Sequence, residues 1–149
     1  YSGAKVHQWQ YVGQPNQIFE LTRVKDDWYK IVSTNSKKCL EFTASDSQHV
    51  GSILHQSDFT GANNQLFQFK LTDDNQSFYI QNKQLQMVLD VAGVSYDNGA
   101  ALQSWSYGGG DNQRFILVKY ANALSLNKKE LPTPILSLLA EEKNKYRFN

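Results

Sequence analysis

The chain has 149 residues, the length of a single domain that can bury about 70% of the surface of its unfolded chain. Its formal net charge of +1 gives no electrostatic reason to expect nucleic acid or an anionic membrane as a partner. The single cysteine, Cys39, excludes an internal disulfide and a cysteine-based zinc cluster. Abundant asparagine and glutamine suit neutral polar ligands better than ionic ones.

The ends of the sequence carry no recognisable targeting signal. The chain opens with Tyr1, and no basic and apolar signal segment follows. No apolar run approaches the roughly 18 residues that a membrane-spanning helix needs. We interpret the chain as a processed product or a piece of a longer protein, and secretion has to be inferred from function.

A four-residue motif, Asn-Gln-x-Phe, recurs at a fixed interval along the chain. Its copies begin at Asn16, Asn64 and Asn112, so that each copy lies 48 residues after the one before. Three glycines keep the same step, at positions 3, 51 and 99. A fixed period of this length indicates internal structural repeats, which determine the architecture of a chain.

Short strands are predicted around every station of this repeat. After each glycine comes an apolar or aromatic run, KVHQWQY (5–11), ILHQSDF (53–59) or ALQSWSY (101–107). Other candidate strands follow each Asn-Gln, within 18–24, 66–72 and 114–120, or lie between stations, at WYKIVS (28–33), CLEF (39–42), SFYIQ (77–81) and MVLDV (87–91). Alternation and flanking turn residues favour strands, and no convincing amphipathic helix is present.

The predicted strands group into four-stranded units. Residues 1–26 supply the last two strands of a unit, 27–74 a whole unit and 75–120 another. Three units of this kind predict one all-β domain over 1–149, closed with threefold pseudosymmetry so that no sheet edge is exposed.

The remaining segment, 121–149, is predicted to complete the first unit or to form a tail. Residues 123–139 are similar to the first two strands of a unit, with ILSLL (135–139) where CLEF and MVLDV stand. Either the ends are circularly offset and meet within one unit, which we favour, or the start of the first unit has been lost. The charged run EEKNKYR (141–147) is expected to be a solvated terminus or a contact with a neighbouring domain.

The order CLEF or VLDV, then NGAALQSW, then NQRF resembles the ricin-B-type β-trefoil lectin family, whose hallmark is a Q-x-W or Q-x-F motif in each repeat. The resemblance covers 1–120 well and 121–149 weakly, and it implies a β-trefoil. Secreted plant members of the family usually pair a second-strand cysteine with one after the third-strand aromatic. Here Cys39 holds the first position and Phe59 the second, so we expect packing to replace the disulfide and Cys39 to be a buried hydrophobe.

By the same resemblance, the best candidate sugar site lies within residues 88–113. Asp90 and Asn112 would hold sugar hydroxyls, and Trp105 would stack on the apolar face of the pyranose ring. Gln103 would add a further contact, and Gln113 would brace Asp90 from behind. The alternative is that Trp105 and Asn112 are ordinary core and turn residues.

The middle unit carries a weaker candidate site. Glu41 replaces the aspartate with a side chain that is one methylene longer, and Ser57 takes the stacking position. The remaining candidates are His55, Asn64 and Gln65. A structural relic without binding is the favoured interpretation of this unit.

The unit that spans the two ends offers His7, Trp9, Asn16 and Gln17. If the ends are offset, the residue at its acid position is Ser137. A hydroxyl is a poorer acceptor than a carboxylate, so this site would bind weakly or recognise another sugar. The alternative is ordinary packing of Trp9.

Catalytic motifs are missing from the sequence. No nucleophile elbow, zinc-protease helix, Cys-x-x-Cys pair or phosphate loop occurs, and paired carboxylates such as Asp26–Asp27 are typical of solvated turns. We therefore expect no enzyme activity, no metal and no cofactor. The motif phenylalanines Phe19, Phe67 and Phe115 are expected to fill the core around a shared axis.

The function that the resemblance implies is binding of glycans that end in galactose or N-acetylgalactosamine. The chain would be the cell-binding or targeting part of a larger secreted protein, such as a toxin or a glycan-degrading enzyme, with other domains or subunits as further partners. Two alternatives stay open: a protein-binding β-trefoil of the protease-inhibitor type, and a structural spacer with inactive sugar sites.

Overall fold

The computed structural model describes residues 1–43, 50–120 and 144–148. In these ranges the regular structure consists of ten β-strands and four short 3₁₀ turns. The strands are β1 (Phe19–Lys25), β2 (Trp28–Ser33), β3 (Cys39–Glu41), β4 (His55–Ser57), β5 (Phe67–Leu71), β6 (Phe78–Asn82), β7 (Val88–Val91), β8 (Leu102–Trp105), β9 (Leu117–Lys119) and β10 (Asn144–Phe148). Three of the turns coincide with the repeated motif, at Pro15–Gln17, Asn63–Gln65 and Asp111–Gln113, and the fourth is Ala92–Val94.

The burial of successive residues explains why these segments form strands. In β2 and β6 every second side chain is buried, which is the period of a strand with one face on a core. In β7 all four residues are buried, so both faces of this strand are covered.

Six of the strands form a closed ring. Antiparallel pairs join β10 to β1, β1 to β2, β2 to β5 and β5 to β6, and β10 also pairs with β9. Phe78 and Phe115 exchange two backbone hydrogen bonds of 2.8 Å each, which links β6 to the approach to β9 and completes the ring. The ring leaves none of its strands at an open edge.

The C-terminal strand corrects one expectation. We expected 141–147 to be a solvated terminus or a domain contact, whereas residues 144–148 form β10 between β1 and β9. Backbone hydrogen bonds hold this strand, so its many polar side chains do not prevent pairing. The predicted strands of 123–139, including Ser137, lie outside the described residues.

A cap of three segments covers one end of the ring. Hairpins β3–β4 and β7–β8 supply two of them, and residues 5–9 supply the third. Val6, Leu54 and Leu102 are joined in a cycle of backbone hydrogen bonds of 2.9, 2.8 and 3.1 Å. The three glycines at 48-residue spacing all have positive φ, between +83° and +91°, and each donates a backbone bond to the next segment of the cap, from Gly3, Gly51 and Gly99.

The core lies where the ring and the cap meet. Phe67 is inaccessible to solvent, Phe115 is buried, and Phe19 packs against the same cluster, so the motif phenylalanines belong to the core as predicted. Cys39 is also buried, and burial raises the pKa of its thiol to about 11. The thiol is therefore protonated at neutral pH and behaves as a small hydrophobe, as the sequence predicts.

We predict that Phe67→Ala lowers the free energy of unfolding by about 3–5 kcal/mol, because it leaves a cavity where the ring packs against Phe42. Urea denaturation measures the loss. Ile116→Ala is the control, since this apolar side chain is half-exposed, and it should cost less than about 0.5 kcal/mol. Equal costs for the two variants would show that the motif phenylalanine is not a core residue.

Candidate functional site

Asp90 is the centre of the candidate site. Its side chain is 4% exposed at the third position of β7, and both carboxylate oxygens accept hydrogen bonds from amides. Gln103 Nε2 donates to Oδ1 at 3.0 Å, while Asn112 Nδ2 and Gln113 Nε2 each donate to Oδ2 at 2.9 Å. An ionised carboxylate offers about four acceptor positions, so three amide donors leave room for one more hydrogen bond.

The pairing of β7 with β8 places the tryptophan. Asp90 lies directly opposite Gln103, and Val88 lies opposite Trp105. Since Gln103 and Trp105 are two residues apart on one strand, their side chains point to the same face. Trp105 is 44% exposed, so part of its ring is open to solvent on the face that also carries Gln103, the hydrogen-bond partner of Asp90.

The structure therefore brings together all five residues of the best candidate site. Three of them lie on the β7–β8 hairpin, and two lie on the 3₁₀ turn Asp111–Gln113, which follows that hairpin. Gln113 donates to the carboxylate, and its bracing role behind a bound sugar stays a prediction. The contacts of Trp105 and Asn112 with a sugar stay predictions.

The glutamine of the repeated motif has a second task that the sequence did not reveal. Gln113 Nε2 also donates to the carbonyl of Ser106 at 3.0 Å, and its Oε1 accepts from the backbone N–H of Gly108 at 2.8 Å. Gln65 makes the same pair of contacts with Asp58 and Thr60, and Gln17 makes them with Gln10 and Val12. In each unit this side chain clamps the turn after the third strand.

Gly110 is a further residue of the site that the sequence did not single out. A Cβ at this position would lie 2.8 Å from Asn112 Oδ1, closer than real Cβ atoms approach. The middle unit has Ala62 at the same station, and there Asn64 is buried and donates to the carbonyl of Phe42 instead of to the acid. The missing side chain of Gly110 thus makes room for the orientation of Asn112.

The middle unit lacks the arrangement of the Asp90 site. The Glu41 carboxylate lies 3.0 Å from His55 Nε2 and accepts from Gln65 Nε2 at 2.6 Å. Buried Asn64 is turned away from it, and its Oδ1 has no hydrogen-bond partner among the described residues. His55, Gln65 and Glu41 meet, but the stacking position opposite Cys39 is held by Ser57, which has no ring.

The ring of Phe59, which belongs to the middle unit, already contacts a charged group. The Nζ atom of Lys30 lies 4.5 Å from the centroid of Phe59, so an ammonium group covers that ring. These contacts are consistent with the relic interpretation.

The unit at the N-terminus carries ligand-type residues without an acid in the described residues. Trp9 is 61% exposed, and His7 and Asn16 are exposed as well. Gln17 clamps its turn as its counterparts do. Ser137, the predicted acid position of this unit, lies outside the described residues.

Comparison with known proteins assigns the family. The sequence model of the family described as ricin-type beta-trefoil lectin domain-like matches residues 1–57 and 63–132. The chain belongs to this family. No curated protein matches the chain significantly.

Solved structures share the trefoil architecture of this lectin-family chain. A designed threefold-symmetric protein, ThreeFoil, is 31% identical with a TM-score of 0.76, covering 80% of this chain and 84% of that one. An exo-β-1,3-galactanase from Clostridium thermocellum is 29% identical with a TM-score of 0.69, covering 74% of this chain and 23% of that one. A mosquitocidal holotoxin, 19% identical with a TM-score of 0.70, covers 78% of this chain and 14% of that one, and shows the fold alone. The fold of this lectin-family chain is therefore an all-β β-trefoil.

Two features are absent from the described ranges. No group of three or more His, Cys, Asp or Glu side chains is placed to hold a metal ion there. No helix in those ranges has the length and apolar character to span a membrane.

We predict that Gln113→Leu lowers the free energy of unfolding by about 1–3 kcal/mol, because the buried carboxylate of Asp90 and the backbone groups of Ser106 and Gly108 lose a hydrogen-bond partner. Thermal or urea unfolding measures the change. The exposed Gln76 provides the control, and Gln76→Leu should be close to neutral. A neutral Gln113→Leu would show that the clamp contributes nothing to stability.

Proposed function

We propose that the Asp90 site binds a terminal galactose or N-acetylgalactosamine and that the chain is a carbohydrate-binding domain without catalytic activity. The observation that carries this proposal is the juxtaposition of a buried, amide-held carboxylate with the half-exposed ring of Trp105. The carboxylate has an acceptor position left for a sugar hydroxyl. The ring offers a flat apolar surface to the C–H face of a pyranose.

The choice of a galactose-type sugar has separate support. One similar structure, at 29% identity, is an exo-β-1,3-galactanase, and the similarity covers 23% of that enzyme. We infer from it a ligand of the galactose class for this chain.

A non-catalytic role is supported by the chemistry of the acid. Three amide donors fix the Asp90 carboxylate as a hydrogen-bond acceptor, which is the state that holds a hydroxyl. An acid that donates a proton to a leaving group would need surroundings that favour its neutral form.

The proposal extends to the setting in which the domain works. One shallow site of this type binds a sugar at roughly millimolar affinity, about 4 kcal/mol. Useful binding then requires several sites or attachment to a partner. We therefore place the domain in a secreted assembly, as the cell-binding or targeting part of a toxin or a glycan-degrading enzyme.

A structural spacer is the second candidate function. The middle unit favours it, because Glu41 is engaged by His55 and Gln65 while Asn64 faces the backbone. A spacer would bind no sugar at the Asp90 site, so an experiment that measures sugar binding there separates the two functions.

We predict that Trp105→Ala weakens binding of lactose by about tenfold or more, because the variant removes the stacking surface without entering the core. Isothermal titration calorimetry and a glycan array measure the change. Tyr1→Ala removes an aromatic that is 88% exposed and should leave binding unchanged. Asp90→Ala should abolish binding in the same assays. Wild-type protein that binds no glycan on the array would refute the proposal and leave the spacer.

We predict that Gly110→Ala weakens lactose binding several-fold while its melting temperature stays close to the wild-type value. The new methyl group displaces the side-chain amide of Asn112. This amide is the terminal group of a flexible side chain, so it can move. Gly108→Ala is the matched control, because its Cβ would come no closer than 4.0 Å to Gln113 Oε1. Calorimetric titration measures the affinity of both variants for lactose. Unchanged binding by Gly110→Ala would exclude Asn112 from the site.

A further inference from the structure

The third residue of the repeated motif differs in chemistry between the units. It is Ile18 in the N-terminal unit and Leu66 in the middle unit, and these apolar side chains are 3% and 4% exposed. In the unit that carries the Asp90 site, the same position is held by Arg114. An exposed ion pair contributes little to stability, whereas a buried aliphatic side chain contributes more. Stability alone therefore does not favour an arginine at this position.

Arg114 is anchored on the turn between β5 and β6. Its Nη2 atom lies 3.0 Å from Asp73 Oδ1, and its Nη1 atom donates to Asp74 Oδ2 at 3.3 Å. Asp74 is itself fixed, because the Thr72 hydroxyl donates to Oδ1 at 2.7 Å and the Ser77 hydroxyl donates to Oδ2 at 2.8 Å. These bonds and two from backbone N–H groups hold the pKa of Asp74 well below its usual range. The guanidinium group therefore rests on a fixed, ionised carboxylate at neutral pH.

The remaining contact of the arginine holds the loop that precedes Asn112. Arg114 Nε donates to the carbonyl of Gly109 at 3.2 Å. Gln113 Oε1 accepts from the backbone N–H groups of Gly108 and Gly109 at 2.8 and 3.3 Å. The loop is therefore held through its N–H groups by the glutamine and through a carbonyl by the arginine.

This loop has little conformational restraint of its own. Residues 108–110 are three consecutive glycines, and glycine has the greatest backbone freedom of all residue types. In the corresponding loop of the middle unit, the first residue is Thr60, whose hydroxyl donates to Gln65 Oε1 at 3.1 Å. The contact from Arg114 thus supplies a restraint that a side chain within the loop supplies in the middle unit.

We propose that Arg114 is a positioning residue of the sugar site, which holds the glycine loop so that the amide of Asn112 meets Asp90. Gly109, which the arginine contacts, precedes Gly110, the residue whose missing side chain makes room for Asn112. A shift of this loop moves that space, and with it the 2.9 Å hydrogen bond from Asn112 Nδ2 to Asp90 Oδ2. This role rests on the proposed carbohydrate function, and it requires no contact between the arginine and the sugar.

Arg114→Leu tests this role with a side chain that the middle unit already has at the same position. We expect a melting temperature close to that of the wild type. Calorimetric titration with lactose should show binding weakened by about three- to tenfold, the size of effect expected of a residue that acts through its neighbours. Arg114→Lys should restore part of the affinity, because an ammonium group keeps the charge but lacks the fork that spans the acids and the loop carbonyl. Arg23→Leu removes the same charge from an exposed position of β1 and should leave binding unchanged.

Nuclear magnetic resonance of the free protein provides a measurement that needs no sugar. Arg114→Leu should lower the backbone order parameters of Gly109 and Gly110 and shift the side-chain amide signals of Asn112. Arg23→Leu should leave these signals as they are in the wild type. Unchanged loop signals in Arg114→Leu would overturn the positioning role, whether or not a sugar binds.

The two measurements also separate this role from the proposed function. Equal affinity of wild type and Arg114→Leu for lactose would refute the positioning role and leave the carbohydrate function standing. A wild-type protein that binds no galactoside would refute the carbohydrate function and, with it, any role of Arg114 in sugar binding. The loop signals would then show whether the arginine still holds the loop.

Discussion

The cycle of backbone hydrogen bonds among Val6, Leu54 and Leu102 is the contact on which the rest of the structure depends. Each residue donates to one neighbour and accepts from the other, at 2.8–3.1 Å, and each belongs to a different unit. The cycle therefore fixes the positions of three cap segments at once. Side chains alternate along each segment, so the residue after each of these three, at position 7, 55 or 103, points away from the axis. In the two complete units, an acid of the second strand lies opposite that residue. The candidate site is thus built outward from the axis.

The same scaffold produces unequal sites because small differences decide where the acid and the asparagine point. The glutamine clamp is kept in all three units, so it serves the fold whether or not a sugar is bound. Asp90 is short enough to stay within reach of three amides. Glu41 is one methylene longer and is held by His55 and Gln65, and Ala62 stands where Gly110 leaves space. The hydrogen bonds within each candidate site therefore depend on the acid of the second strand and on the residue two positions before the motif asparagine.

Much of the fold could be predicted from the sequence, because a motif repeated every 48 residues indicates that three units pack in the same way. Core positions such as Phe67 and the positive-φ glycines must recur wherever the packing recurs. The meeting of Asp90 with Gln103 and Asn112 was expected from the family resemblance. The glutamine clamps were not, since the repeat marks the glutamine but does not show which backbone groups its side chain contacts. Strand β10 was missed because backbone pairing inside a ring does not require an apolar sequence.

The two complete units differ chiefly in what the second strand contributes. That strand supplies the acid, an axial leucine and the outer edge of each hairpin, so it joins the core to the ligand face. In the N-terminal unit, the third strand and the motif keep the same backbone bonds around the axis and the same glutamine clamp. The threefold cap is therefore common to all three units, whereas the candidate site differs between the two complete units through the acid that the second strand supplies.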